Sequence, residues 1–375
     1  MTAYFAVTTF LLLLLSANFL VNLLVFRRPR PARLSPNQTS PLVSILIPAR
    51  NEETRLPDCL DSLLAQDYPH LEWIVLNDHS TDQTARVVET RRQREPRLRL
   101  IEGQDLPPGW TGKAWACHQL SREARGDYLL FTDADTRHEP QALSSALDHL
   151  LRHRYGLLSL WPRQIAVTWS ERWVIPFVHV LILWFMPHWL KLRHRSLGAA
   201  NGQFLLFRRD AYDAIHGHES VRSHLVEDVA LGREILLGGY RLGNADGSHL
   251  VSCRMYESFG GIWEGFTKNL RAGFEDSLSG FIVTGILIVT LLILPFLWAF
   301  ISWIAGWPAW IVQTTLAQAA LVLLLRWLLA VRVGQPRTVI LLHPLAATLC
   351  MAIALNSWIQ TARGRVTWKG RTYTP

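Results

Sequence analysis

The sequence predicts an α/β fold, a doubly wound and mainly parallel sheet flanked by transmembrane helices. Two observations carry this. Between residues 42 and 132, short apolar runs alternate with helix-periodic segments, and the runs end in polar clusters. Before residue 27 and after residue 280 the chain instead stays apolar over stretches long enough to cross a bilayer, for which about 20 residues are needed.

Residues 4–26 carry no charge and run into Arg27-Arg28-Pro29-Arg30-Pro31-Ala32-Arg33. A signal peptide would carry its charge before a shorter apolar region. The flank here lies on the other side, so residues 1–26 are expected to be an uncleaved anchor with its basic end cytoplasmic. A basic, Pro-containing linker fills 27–41. The first buried strand is expected at 42–48, then a helix at 53–65 with Leu56, Leu60, Leu63 and Leu64 on one face. Strands follow at 71–76, 97–102 and 127–132, with helices at 83–93 and 113–124. Such alternation implies parallel pairing, and ligands of such sheets sit beyond the carboxyl ends of the strands. The soluble domain is taken as 42–275. Residues 276–375 hold three apolar segments, 281–303, 310–331 and 339–359, and a basic tail.

The net charge of +8 is concentrated in patches at 27–33, 91–99, 191–195 and 363–371. Those beside membrane segments suit anionic lipid headgroups. Most of the Trp residues lie in or beside apolar stretches rather than among the basic ones, which argues against nucleic-acid binding. Cys59, Cys117, Cys253 and Cys350 lack metal-site spacing and suggest a reducing compartment without disulfides. The first strand is not followed by G-x-G-x-x-G, and the chain has no P-loop signature, which disfavours nicotinamide, flavin and P-loop chemistry.

Thr132-Asp133-Ala134-Asp135 places two carboxylates at a strand end, where one oxygen from each suits a hard cation such as Mg2+ or Mn2+. Alone, such a pair is as readily a solvated turn. Its weight comes from two further clusters that also follow strands, Ala49-Arg50-Asn51-Glu52 and Asn77-Asp78-His79-Ser80. Glu52 and Asp78 are positioned either to accept hydrogen bonds from a base or ribose, or to cap the helices that follow.

Pro48-Ala49-Arg50-Asn51-Glu52-Glu53, Asn77-Asp78-His79-Ser80-Thr81-Asp82, Gly112-Lys113-Ala114-Trp115-Ala116, Thr132-Asp133-Ala134-Asp135 and Val226-Glu227-Asp228 together resemble the ordered motifs of family-2 glycosyltransferases with a GT-A fold. The flanking helices resemble the lipid-glycosylating members, the hopene-associated and carotenoid-type transferases and, more distantly, ceramide glucosyltransferase. The resemblance implies a nucleotide-sugar donor, with UDP expected, a divalent cation at Asp133 and Asp135, and Asp228 as base. It also implies donor contacts from Pro48, Arg50, Glu52, Asp78, Lys113 and Asp133. Glu227 and the turn at Gly202 and Gln203 fall on the sugar or acceptor side, with Trp263 as an acceptor-site aromatic. A single base on the face opposite the leaving group favours inversion, and neighbouring helical residues such as Glu227 and Asp228 point about 100° apart, so they do not form a retaining carboxylate pair. The Q-x-x-R-W element of processive members is missing, which favours transfer of one sugar. His249 is either a further ligand or a structural histidine.

If the apolar segment 169–190 crossed the bilayer, it would separate Asp133 from Asp228. With Pro176, Pro187 and the basic stretch at 191–195, it is expected to lie in the interface, or else inside the soluble domain. The expected protein sits in a bacterial-type inner membrane with a cytoplasmic catalytic domain and a lipid acceptor. Three full C-terminal crossings would leave the basic tail outside, against the positive-inside rule, unless one segment, broken at Pro295 or Pro344, is re-entrant. The competing readings are a polysaccharide synthase and, outside enzymes, a membrane transporter or a scaffold with an inactive transferase-like domain.

Overall fold

The computed structural model describes the chain apart from residues 33–39, 192–193, 195–196, 275–276, 364–365, 369–370 and 374–375, so parts of the linker and of the basic stretches at 191–195 and 363–371 lie outside the described residues. It divides into a sheet unit, Val25–Arg163 with Leu190–Met255, and a helical unit, Met1–Leu24, Gln164–Trp189 and Tyr256–Pro375. This differs from a continuous soluble domain over 42–275.

The chain opens with α1 (Thr2–Val25) and enters the sheet unit through β1 (Val43–Ala49), α2 (Leu56–Leu64), β2 (Leu71–Asn77), α3 (Thr84–Arg92), β3 (Leu98–Glu102), α4 (Gly112–Glu123) and β4 (Tyr128–Phe131). Next come β5 (Thr136–His138), α5 (Ala142–His153), β6 (Leu157–Trp161) and β7 (Arg163–Gln164), then α6 (Trp169–Val174) and α7 (Phe177–Val180). The chain returns with β8 (Leu205–Arg208), α8 (Arg209–Ala214), α9 (Glu227–Leu237), β9 (Leu242–Asp246) and β10 (Val251–Cys253). It ends with α10 (Phe259–Gly273), α11 (Leu278–Ile288), α12 (Leu294–Ile304), α13 (Ala309–Val333), α14 (His343–Ala362) and the hairpin β11 (Val366–Trp368) and β12 (Arg371–Tyr373).

Seven strands form the main sheet in the order β3-β2-β1-β4-β8-β6-β9. The four strands β3, β2, β1 and β4 are parallel, β8 runs against both β4 and β6, and β6 and β9 are again parallel. Alternate residues of β1 feed two cores. Val43, Ile45 and Ile47 pack with Leu60 and Leu63 of α2 and Leu147 of α5, while Leu46 packs with Cys117 and Leu120 of α4 and Ile235 of α9. A strand covered by helices on both faces reads as one apolar run, as this one does.

Pro48 sits inside β1, where a missing N–H would ordinarily break a ladder. Val43 N donates to His70 O ahead of β2, so even-numbered residues of β1 face β4. The last β4 partner, Phe131, stands opposite Leu46. Pro48 therefore turns its missing donor toward the gap where β4 has already ended.

In the helical unit, four helical stretches among the described residues are long and apolar enough to cross a membrane: Thr2–Val25, Leu278–Ile304, Ala309–Val333 and Ile340–Ala362. Residues 169–190 do not form one continuous helix. Pro176 and Pro187 flank a chain of short α, π and 3-10 turns whose free backbone groups are met by α1: Asn22 Nδ2 donates to Leu183 O and Met186 O, at 2.8 and 2.6 Å, and Asn22 Oδ1 accepts from His188 N. Ile175, Val180, Leu183 and Trp184 are buried. The segment thus belongs inside the helical unit. Two polar side chains within the spans are likewise paired, Arg326 Nη1 to Gln335 Oε1 and Asn356 Nδ2 to Thr267 Oγ1.

The fourth apolar helix takes an unexpected course. Tyr4, Trp298, Phe5 and Trp310 gather the start of α1, the end of α12 and the start of α13 at one end of the unit. His343 at the start of α14 lies against Phe177 and Trp184, and Trp184 packs on Phe19, late in α1. At its other end Trp358 packs on Phe281, early in α11. Both ends of α14 therefore lie away from the Tyr4 end, and the helix turns back. Gly334, with φ of 69°, and Pro336 and Pro344 shape the turn that begins it. Single cysteines at positions 278 and 363 should accordingly react with an impermeant maleimide from the same side of sealed vesicles, and one at 306 from the opposite side. Labelling of 363 together with 306 would show a full fourth crossing.

Candidate active site

At the carboxyl edge of the parallel strands, the loops after β1 and β2 are tied into one another. Asn51 N donates to Ser80 Oγ and Asn51 Oδ1 accepts from Thr81 N, while Glu52 N donates to Thr84 Oγ1 at 2.8 Å. Arg50 Nη1 donates to Asp78 O, and Asp78 N donates to Ala49 O. Both loops reach this arrangement through left-handed residues, Asn51 at φ 54° and His79 at φ 53°. Asn and His are among the side chains that enter this region more readily than most. The loops hold Glu52 and Asp78 largely buried; Glu52 O accepts from Arg55 N and Leu56 N at the entrance of α2, and Asp82 Oδ1 accepts from Thr84 N at the start of α3.

Asp133 follows β4 and Lys113 lies in the first turn of α4. Lys113 Nζ is 2.7 Å from Asp133 Oδ1 and 3.0 Å from Glu227 Oε1. Burial alone would lower the Lys113 pKa, but Asp133, Glu227 and Asp228 together push it well above the ordinary value and keep it charged. Thr111, just before, is fastened to the loop leading to α9 by its N–H to Arg222 O at 2.7 Å. Glu227 and Asp228 lie in the first turn of α9 and face different partners. Glu227 turns to Lys113. Asp228 Oδ2 accepts from Gly202 N at 2.6 Å and Oδ1 from Val229 N at 2.8 Å. Burial, then the charge of Glu227, raises the Asp228 pKa to about 6, with Lys113 and the two N–H donors pulling the other way. Gly202 leaves no room for a side chain, because a Cβ there would lie 3.0 Å from Lys113 Nζ and 3.1 Å from Asp228 Oδ2.

Asp135 lies in the turn beyond Asp133. Burial, reinforced by Asp133 and Glu52, raises its pKa to about 7, against the pull of Arg55 and the Cys253 thiol. Its Oδ1 is buried without a hydrogen-bond partner. An orphaned buried carboxylate oxygen beside a second carboxylate fits a divalent cation, since it is costly to leave unsatisfied and is the donor type Mg2+ and Mn2+ prefer. Among the described residues, His, Cys, Asp and Glu side chains form no group of three or more able to hold a metal, so further ligands would have to come from substrate or water.

Gln203 is buried with its amide on Cys253 Sγ at 3.0 Å, and its carbonyl accepts from Thr132 Oγ1 at 2.8 Å, which joins β8 to the Asp133 turn. His138, bonded to Thr132 and Thr136, is held neutral by burial with a pKa of about 3. His249 Nε2 lies 3.1 Å from Pro29 O, a structural contact. Trp263 belongs to the helical unit, where it packs on Phe259. Arg55 and Cys253 were missed in the sequence. Arg55 follows Glu52 by three residues and offered a local clue, whereas Cys253 reaches the site only because β10 pairs with β5 in the register Cys253 to Thr136.

The family profile described as Glycosyl transferase family 2 matches residues 44–215. A 4,4'-diaponeurosporenoate glycosyltransferase of Staphylococcus aureus is 30% identical over 351 residues, which cover 88% of each chain. A protein of the same name from Staphylococcus haemolyticus is 29% identical over 243 residues, 64% of each chain. Among solved structures, a mannosyltransferase from Pyrobaculum calidifontis, in complex with GDP-Man and Mn2+, superposes with a TM-score of 0.55 at 19% identity, over 96% of this chain and 97% of that one. With a mainly parallel, Rossmann-like sheet of GT-A form and four membrane-length helices, this chain belongs to glycosyltransferase family 2.

Proposed function

We propose that the protein is an integral membrane, metal-dependent, inverting glycosyltransferase that moves one sugar from a nucleotide-diphosphate donor, UDP-linked, to an oxygen nucleophile on an apolar lipid of carotenoid type. The observation that carries this is the meeting of Asp133, Lys113, Glu227, Asp228 and Gly202 at one point of the sheet edge. The relatives named for diaponeurosporenoate support the acceptor class.

In this reading the crevice walled by Pro48, Arg50, Glu52 and Asp78 takes the nucleoside. Asp133 and Asp135 hold a divalent cation, which when bound offsets the charge developing on the leaving diphosphate. Lys113 adds a fixed positive charge beside it. Asp228, deprotonated above about pH 6, takes the proton of the acceptor oxygen as that oxygen bonds to the anomeric carbon and the nucleoside diphosphate departs from the opposite face. Gly202 N–H and Val229 N–H aim the Asp228 carboxylate, Glu227 steadies Lys113, and Gln203 shapes the sugar side of the turn. Trp263 is assigned as an acceptor-contacting aromatic.

The sheet unit is cytoplasmic, where nucleotide sugars are made. Trp358 near the end of α14 packs on Phe281 near the start of α11, so both are taken to lie on that side. The basic tail then lies on the cytoplasmic side, in line with the positive-inside rule.

The direct test supplies the purified full-length protein in nanodiscs with Mg2+ or Mn2+, a panel of nucleotide sugars and apolar acceptors, and follows labelled sugar into the lipid extract. One sugar per acceptor is expected; a high-molecular-weight polymer would select a synthase, and no product with any donor would refute the enzyme. Asp228→Asn should lower kcat by about 10²–10⁴-fold while nucleoside-diphosphate binding, read by calorimetry, persists. In the wild type, kcat/KM should climb about tenfold per pH unit below pH 6 and flatten above it, because only the deprotonated carboxylate accepts a proton. Gly202→Ala, by displacing Lys113 Nζ and Asp228 Oδ2, should cost about 10- to 100-fold in kcat/KM, an amount typical of small misplacements; unchanged kinetics would mean the cluster is not catalytic. Chelation with EDTA should silence turnover, and Asp135→Asn should weaken Mn2+-dependent nucleoside-diphosphate binding in the same calorimeter.

A further inference from the structure

Inside the helical unit, α10, α11, α14 and the segment from α6 through residue 181 line a half-open cleft with almost no polar atom facing it. Phe266 and Leu270 of α10, Phe177 of α7, Gly285 and Ile288 of α11, and Met351 of α14 are among its walls. The pocket exists because α14 turns back along α11. Next to it lies a ring cluster: Trp169 meets Trp173 and stacks on Phe259, and Phe259 packs on Trp263, at 5.5 to 5.7 Å between centroids. Trp173 precedes the lining residue Val174, and Trp263 stands one turn before Phe266. Trp169 and Phe259 are exposed. Aromatic side chains with a polar edge favour the headgroup level of a bilayer, and their faces suit flat apolar chains. An exposed aromatic cluster beside a nonpolar cavity is thus graded as an amphiphile is, polar-tolerant at one end and hydrocarbon at the other.

We infer that this pocket is the slot for the apolar chain of the acceptor lipid, with the Trp169, Trp173, Phe259 and Trp263 cluster at its mouth. The inference rests on the proposed lipid-transferase activity. An enzyme whose acceptor is almost all hydrocarbon must hold that hydrocarbon in a fixed place to present its one reactive oxygen, because only a positioned acceptor gains the rate advantage of proximity. The occupant is a long unbranched or isoprenoid chain ending in a carboxyl or hydroxyl group, not bulk phospholipid.

The test uses full-length protein in phosphatidylcholine nanodiscs, a UDP-sugar that the wild type turns over, and a long-chain apolar acid carrying a diazirine near its far end. Photolabel should fall on Met351, Ile288 or Phe266 and should be displaced by unlabelled acceptor but not by added phosphatidylcholine. Gly285→Phe should raise the acceptor KM about tenfold or more, since it displaces several buried methylenes. Gly285→Ala, whose Cβ meets only the end of the Met351 side chain at 3.1 Å, should raise KM by far less than Gly285→Phe does. Val283→Phe, on the exposed side of the same helix, should leave KM unchanged. Label scattered over α1 and α13, equal displacement by phosphatidylcholine, or a wild-type KM in Gly285→Phe would overturn the slot while leaving the transferase reading intact. If Gly285→Phe does not fold, the labelling pattern of the wild type decides alone. Absence of turnover with every acceptor would remove the activity and the slot together.

Discussion

Asp133, Glu227 and Asp228 can converge on one point of the sheet edge because Lys113 stands among them. Taking carboxylates out of water costs several kcal/mol each unless a partner is held in good geometry. The ammonium reaches Asp133 at 2.7 Å and Glu227 at 3.0 Å, and its charge also lowers the Asp228 pKa against burial. Much of the surrounding construction places this one cation. It lies in the first turn of α4, the helix is held at its entrance by Thr111 N–H on Arg222 O, and Gly202 keeps its backbone small enough for both Lys113 and Asp228 to pass.

The same edge carries a division of labour between backbone and side chains. Where β4 stops opposite Leu46, β1 continues to Ala49 with Pro48 in the gap, so the crevice opens without leaving a ladder donor unmet. The loops beyond β1 and β2 then bind each other through Asn51, Ser80, Thr81 and Thr84 and through the backbone of Glu52 and Asp78. Among the described acids, Asp135 is the one whose buried oxygen is left unsatisfied, and its pKa is raised by burial and then by the charges of Asp133 and Glu52.

In the helical unit, polar side chains do the work that water does elsewhere. Asn22 satisfies the broken turns around Leu183 and Met186, Gln318 reaches Thr8 and Thr9 on α1, and Ser357 and Asn356 tie α14 to α10. Backbone groups in a bilayer interior must find partners within the protein. These pairings let a proline-interrupted segment sit among the helices, and they accompany a fourth apolar helix that returns to the side from which it came.

The sequence by itself determined the strand and helix order through β4, the four membrane-length segments, and the acids that would meet at the strand ends, because hydrophobic periodicity, span length and strand-end chemistry are local. The first strand, expected at 42–48, is observed at Val43–Ala49. Only the tertiary structure decided that β8 runs antiparallel between β4 and β6, that residues 164–189 join the membrane helices, and that α14 turns back. It likewise brought Arg55 and Cys253 to Asp135 and set Lys113 between acids from two loops far apart in sequence. These outcomes depend on which distant surfaces bury one another and which buried charges must be offset, and an apolar or acidic residue looks the same in sequence whichever partner it finds.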